Sequence, residues 1–169
     1  VTNSDNQAAF SECGQYRYSL TRYWDYEKPA VTFVMLNPST ADHIKNDPTV
    51  ERCQRRAVEL GFGGLIVVNL FALRSTDPKL LYKHPNPVGE HNDEYIQLAI
   101  RNSKQTICAW GKHGHLYGRG YEVLNLMKET LHYTEREIYY LKMNKDGTPA
   151  HPLYLPYGVK PALMDLGGR

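Results

Sequence analysis

Four short runs of β-prone residues, set between segments of helical periodicity, constrain this chain more than anything else in it. They are Val31-Thr32-Phe33-Val34-Met35-Leu36, Leu65-Ile66-Val67-Val68, Thr106-Ile107-Cys108-Ala109-Trp110 and Ile138-Tyr139-Tyr140-Leu141. Compact apolar runs of this length read as strands buried on both faces. After the first run, Asp47-Pro48 has the form of a helix cap followed by a first-turn proline. Val50, Cys53, Ala57 and Val58 then recur at helical spacing until Gly61. Ile96, Ala99 and Ile100 mark a second helix over 92–102, and Tyr121, Leu124, Met127 and Leu131 a third. Strand alternating with helix predicts a three-layer α/β/α fold around a central, mostly parallel four-stranded sheet. Tyr16, Tyr18 and Leu20 alternate over 15–24 and predict an N-terminal β extension, broken at Lys28-Pro29. Residues 1–12 are polar and are expected to be loose.

The totals exclude several classes. A chain of 169 residues suits one domain spanning 1–169. A hydrophobic fraction of 41% with a mean hydropathy of −0.54 belongs to a globular protein. No apolar run is long enough to cross a membrane, and Val1-Thr2-Asn3-Ser4-Asp5 has no secretory layout. Three cysteines without Cys-x-x-Cys spacing give neither a disulfide framework nor a zinc knuckle, so a cytoplasmic setting is expected. The net charge is only +2. Its distribution is uneven: the stretch 95–121 has no acidic residue, yet holds Arg101, Lys104, Lys112 and Arg119, with His113 and His115. Such a stretch is either a solvated face or a phosphate-facing stripe.

In open parallel sheets, ligands bind at the carboxyl ends of the strands. Four segments fall there: Asn37-Pro38-Ser39, Asn69-Leu70-Phe71, Trp110-Gly111-Lys112-His113 and the loop with His151-Pro152. They offer amides, imidazoles, aromatics and small residues. No phosphate loop, dinucleotide fingerprint, nucleophile elbow or His-x-x-x-His metal spacing is present, and no cofactor is expected. What remains suits a planar polar ligand. An asparagine amide reads a base edge, an aromatic ring stacks on it, and a neutral histidine donates to an oxygen that gains charge. Trp110 is expected in the core.

The order of these motifs resembles the uracil-DNA glycosylase superfamily. There, an Asp-Pro or Asn-Pro motif ends the first strand and an asparagine closes the second. A Leu-Trp-Gly-like motif closes the third, and His-Pro follows the fourth. Leu36-Asn37-Pro38-Ser39, Val68-Asn69-Leu70, Ala109-Trp110-Gly111-Lys112 and His151-Pro152-Leu153 stand in that order here. The chain resembles still more fully a bacterial and phage family of unknown function. That family carries Arg-Tyr-x-Leu-x-Arg and Met-Leu-Asn-Pro-Ser-Thr-Ala-Asp, which Tyr18 to Arg22 and Met35 to Asp42 match.

The glycosylase resemblance implies a uracil-DNA glycosylase-like sheet and a set of roles. Asn37 holds the attacking water, with Asp42 or Asp47 as auxiliary base, and His151 steadies the departing base. Pro38, Ser39, Thr40, Asn69, Phe71 and Gly111 form the base pocket, Asn69 reading an edge and Phe71 stacking. Arg74, Lys112 and His113 meet phosphate. Tyr154 or Leu155 wedges into the duplex while the base is flipped. Uracil-specific members place a tyrosine directly after the Asp-Pro pair, whereas this chain has Ser39, Thr40 and Ala41. The small residues imply a base with a bulky 5-substituent, such as glucosylated hydroxymethylcytosine. The expected protein is therefore a monomeric, antiviral DNA glycosylase acting on double-stranded phage DNA. The alternatives are a nucleic-acid or nucleotide binding module, a nucleoside hydrolase on the same fold, and a metal nuclease using Asp42, Asp47 and His113.

Overall fold

The computed structural model describes residues 5–167. Its strands are β1 (Asn6–Phe10), β2 (Arg17–Tyr23), β3 (Ala30–Met35), β4 (Gly64–Asn69), β5 (Gln105–Cys108), β6 (Ile138–Tyr140) and β7 (Ala162–Leu163). They form one seven-stranded mixed sheet in the order β1-β2-β4-β3-β5-β6-β7. The β4–β3, β3–β5 and β5–β6 pairings are parallel. The β1–β2, β2–β4 and β6–β7 pairings are antiparallel. The helices are α1 (Pro48–Glu59), α2 (Lys79–Lys83), α3 (Asn92–Arg101) and α4 (Arg119–Leu131).

Alternation along the central strands sorts their side chains onto two faces. Val31, Phe33, Met35, Leu65, Val67 and Ile107 pack with Val50, Cys53 and Ala57 of α1. Val34, Ile66, Val68 and Cys108 pack with Ile96, Ala99 and Ile100 of α3 and Val123, Met127 and Leu131 of α4. Helices thus cover both faces, which is why β3 and β4 are buried at every position. Asp47 caps α1 as its spacing predicts: Val50 N donates to Asp47 Oδ1 at 2.9 Å, and Pro48 occupies the first turn. The helix expected around Tyr121, which is α4, differs from its expected face. It begins at Arg119, and Tyr121 points to solvent while Gly120 and Val123 are buried.

The sequence predicts four central strands and one extension, and the sheet has more. β1 and β7 escape a reading by hydrophobic pattern because they are edge strands with mostly half-buried or exposed residues. Residues 1–12 are expected to be loose, yet Asn6 to Phe10 are paired along β2. Residues 1–4 lie outside the described residues.

β2 carries a β-bulge that re-aims its first side chains. Ala9 pairs with Ser19 but Phe10 pairs with Arg17, so one residue of β2 is extra at Tyr18. Beyond the bulge, Leu20 faces the α1 side, and Ser19, Thr21 and Tyr23 line the opposite face beside Tyr95 and Leu98. Strict alternation would place Tyr18 with Leu20. Instead Tyr18 stacks on Tyr95 of α3, with ring centroids 5.0 Å apart, and Arg17 turns to the α1 side.

Two further arginines fasten loops to α1 and β2. Arg22 Nη2 donates to the carbonyls of Asp42 and Lys45, and Arg22 Nε to Asn46 Oδ1. Arg56 donates to the carbonyls of Leu155, Pro156, Tyr157 and Val159. The Tyr157 ring also sits 4.4–5.4 Å from the guanidinium carbons of Arg52, Arg55 and Arg56. This clamp holds the segment after His151 against α1. Replacing Arg56 by Met removes the donors while keeping the apolar stem. Loss of hydrogen bonds from a charged group costs about 1.5–3 kcal/mol, so urea denaturation of Arg56→Met is expected to show a destabilisation of that order. Limited proteolysis is expected to cut within 153–160 first.

Candidate functional site

The carboxyl ends of the parallel strands lie level. Met35 pairs with Asn69, Val34 with Cys108, and Cys108 with Tyr140. The pairing continues into the loops, since Leu70 N donates to Met35 O and Ala109 N to Val34 O. Because β2 is antiparallel to β4, it is the start of β2, at Arg17, that reaches the same end of the sheet. A cavity of about 40 Å³ opens there, lined by Arg17, Met35, Asn37, Pro38, Ser39, Asp47, Thr49, Val50, Val67, Asn69 and His151.

Asn37 follows β3 and is half-buried. Its Nδ2 donates to Ser75 O at 2.9 Å and Pro38 O at 3.2 Å. Carbonyls only accept, so the amide orientation is set, and Oδ1 is the end with capacity to spare. Asn69, the last residue of β4, is 1% exposed, and its Nδ2 is buried without a partner. A buried donor left unpaired costs about 1–3 kcal/mol, so this amide stands out among the polar groups here. Its backbone is secured from behind: Asn92 Nδ2 donates to Asn69 O at 2.9 Å and Leu70 O at 3.0 Å.

His151 reaches the cavity from the loop after β6. Gly111 N donates to Pro149 O at 2.8 Å and anchors that loop to the end of β5. Gly111 has φ +77°, and a Cβ there would lie 3.7 Å from the Cβ of His151. Leu153 N donates to His151 Nδ1 at 3.3 Å, so the neutral ring carries its proton on Nε2. Burial lowers the His151 pKa below the ordinary histidine value, with Asp47 pulling the other way. The ring is thus a neutral donor at physiological pH. Asp47 accepts from Val50 N and Ala41 N and presents its carboxylate to the cavity.

Not every expected residue joins this group. Asp42 does not line the cavity. Its Oδ1 closes a turn by accepting from Ile44 N at 2.8 Å and Lys45 N at 2.7 Å, and those bonds hold its carboxyl below the usual range. Of the two candidate auxiliary bases, Asp47 is the one in place. Phe71 is fully buried in the core on the α3–α4 side, so it offers no stacking face. Trp110 is in the same core, as expected. Thr40 is exposed beside the cavity rather than in its lining.

The expected phosphate contacts also disperse. Arg74 donates to Gly14 O at 3.1 Å and stacks 4.8 Å from the Phe10 ring, committed to the β1–β2 turn. His113 Nδ1 shares a 2.9 Å hydrogen bond with Tyr82 Oη, and Lys112 is exposed beside it. Arg119 is buried and paired with Asp93 and Glu122. Arg101 and Lys104 flank the amino end of β5, away from the cavity. The stretch without acidic residues is therefore not one stripe. Leu155 is half-buried, its carbonyl held by Arg52 and Arg56, while Tyr154 is 91% exposed one position earlier.

Among the described residues, no three His, Cys, Asp or Glu side chains are grouped to hold a metal ion, so Asp42, Asp47 and His113 do not come together. No described helix is long and apolar enough to cross a membrane. Reading by motif gave Arg17 no role in a site, and its place depends on the β2 bulge.

Residues 17–153 match the family described as "Protein of unknown function (DUF1643)". The chain belongs to this family. The DUF1643 match begins at Arg17 and ends two residues past His151, so it includes the whole cavity lining. Searches of curated proteins and of solved structures return no match for this DUF1643 chain.

The lowered pKa of His151 has a consequence for stability. Its neutral form is favoured in the folded state, so this contribution is complete above about pH 6.5, the unfolded value. It is lost as pH falls through the lower folded value. Urea unfolding at pH 7.5 and pH 5 is expected to show wild type losing more stability than His151→Gln over that interval.

Proposed function

We propose that the chain is a monofunctional DNA N-glycosylase. In this reading it flips a modified base out of double-stranded DNA and hydrolyses the N-glycosidic bond, leaving an abasic site. The observation that carries the reading is the meeting of Asn37, Asn69 and His151 in one cavity, with the buried Asn69 amide unpartnered. The order of the motifs supports it. Asn69 closes β4, and β3, β5 and β6 are followed by Asn37-Pro38, Trp110-Gly111 and His151-Pro152, in the arrangement that the resemblance to uracil-DNA glycosylases implies. The same proposal includes a glycosylase-like sheet built on these strands.

The chemistry follows from donors and acceptors. A water bound at Asn37 Oδ1 is oriented rather than deprotonated, because an amide oxygen is barely basic. This suits a path in which the bond from the sugar carbon to the base nitrogen breaks first, its electron pair leaving with the base. His151 Nε2–H donates to the base oxygen as negative charge gathers there; a fixed donor of this kind contributes about 10²–10³ in rate. Water oxygen then bonds to the sugar carbon, and its proton passes to the Asp47 carboxylate. Asn69 meets an edge of the base.

The cavity has room for a water but not for a base, so base entry requires it to widen. Ser39 at its wall supports a base bearing a 5-substituent, the setting of phage DNA and antiviral defence. Flipping costs a few kcal/mol, and in this reading the exposed Tyr154 fills the vacated stack. The reading invokes no cofactor and a monomer at work in the cytoplasm.

The test is mass spectrometry of bases released from phage DNA containing glucosylated hydroxymethylcytosine and from unmodified DNA, with alkali treatment to reveal abasic sites. Release from the modified DNA is expected, unchanged by EDTA. Asn37→Ala and His151→Ala are each expected to lower it by about 100-fold or more. Base release from free nucleosides alone would favour a nucleoside hydrolase. Binding without release from any DNA would overturn the enzymatic reading.

A further inference from the structure

Arg17 is the buried charge of the cavity that the fold leaves without a full set of partners. It is 1% exposed. Its Nη1 donates to Ala41 O at 2.9 Å, and its Nε is buried with no partner. Burial lowers its pKa to about 10, so it is still a cation at neutral pH. A buried cation is retained at low cost only when it is paired and hydrogen-bonded. Among the described residues no carboxylate stands within ion-pair distance of it. Asp47 supports it from further away, while both Asp47 oxygens accept from backbone N–H groups.

The other buried arginines are provided for. Arg119 pairs with Asp93 and Glu122 and donates to Leu70 O. Arg56 reaches several carbonyls. Arg56 and Arg74 also have an unpartnered Nε, but neither lines the cavity. Arg17 does, and so does Asn69 with its own unpartnered Nδ2. The β2 bulge is what turns Arg17 to this side of the sheet. Two deeply buried residues, each with one unpartnered donor, thus line one small cavity, and one of them is placed there by an irregularity in an otherwise regular strand.

We infer that Arg17 is a ligand-recognition residue of this cavity, and that it and Asn69 take oxygen acceptors of the ligand. This deepens the glycosylase reading and rests on it for the ligand being a nucleobase. The chemical class follows from the guanidinium, which donates and cannot accept. A carbonyl or hydroxyl oxygen is welcome at Arg17, and an amino group, itself a donor, is refused. The oxygen has two possible sources: a ring carbonyl of the base, or an oxygen on its 5-substituent.

The test observes Arg17 directly. Nitrogen-15 spectra of the arginine Nε–H groups are recorded for the full chain while uracil, cytosine and 5-hydroxymethylcytosine are titrated in as free bases. The Arg17 resonance is assigned by its absence in Arg17→Lys. It is expected to shift on binding, and Arg17→Met is expected to weaken binding at least tenfold. Preference for uracil over cytosine assigns the acceptor to the C4 carbonyl, where cytosine carries an amino group, and equal binding of the two assigns it to the C2 carbonyl they share. Binding of 5-hydroxymethylcytosine, but not cytosine, assigns it to the substituent. The resonance is read in the wild-type protein, so the result does not depend on how well a variant folds. An Arg17 signal unmoved by all three bases, or equal binding by Arg17→Met, overturns the inference and leaves water as the occupant. Base release from DNA is scored separately. Arg17-dependent binding without release supports this inference and overturns the glycosylase reading; release with binding indifferent to Arg17 does the reverse.

Discussion

Backbone carbonyls that leave the sheet at the carboxyl ends of the parallel strands have no ladder partner, and buried side-chain donors take them up. Everything near the cavity depends on this. Asn92 holds the carbonyls of Asn69 and Leu70. Arg119 adds a second bond to Leu70 O at 2.8 Å. Asn37 holds Ser75 O and Arg17 holds Ala41 O. Arg56 holds the carbonyls of Leu155, Pro156, Tyr157 and Val159. At the buried positions Ala41, Asn69 and Leu70 such carbonyls have no solvent to turn to. The donors decide which way each loop leaves its strand, and so where Asn37, Asp47 and His151 meet.

The same economy explains what is left over. Nearly every strong donor at this end of the sheet is committed to the backbone, which is why the exceptions carry information. Asn69 Nδ2 and Arg17 Nε are buried and unspent, and both residues line the cavity. Fixed donors in a site with little water are worth more than the same groups in solvent, because they need no reorganisation when charge appears. His151 adds a third, its Nε2 proton placed by the backbone bond at Nδ1. The loops themselves rest on α1: Asp47 caps it from the cavity side, and Arg56 fastens the segment beyond His151 to it.

Two groups of residues that look alike as letters separate once folded. Asp42 and Asp47 are five positions apart in one loop, yet the first closes a turn in solvent and the second caps a helix at the cavity. Arg101, Lys104, Lys112 and Arg119 share a stretch free of acidic residues. They end up at opposite ends of the sheet or, for Arg119, inside a buried ion pair. Phe71 follows Asn69 by two residues, and its carboxyl-end position makes it resemble a stacking ring. The chain turns after β4, and the ring enters the opposite core.

Local chemistry alone determined the central strands, the capped helix at Asp47-Pro48 and the strand ends from which Asn37, Asn69 and His151 emerge. Those features rest on short-range rules of burial period, capping and turn formation, which are written in neighbouring residues. The edge strands β1 and β7 were not legible, because their stability comes from partners far along the chain and not from an apolar pattern of their own. The role of Arg17 was hidden for a related reason. Its letter sits in a plain alternating strand, and only the pairing of β1 with β2 reveals the bulge that turns it into the cavity. The choice of Asp47 over Asp42 was likewise tertiary, since it depended on which carboxylate the returning His151 loop would face.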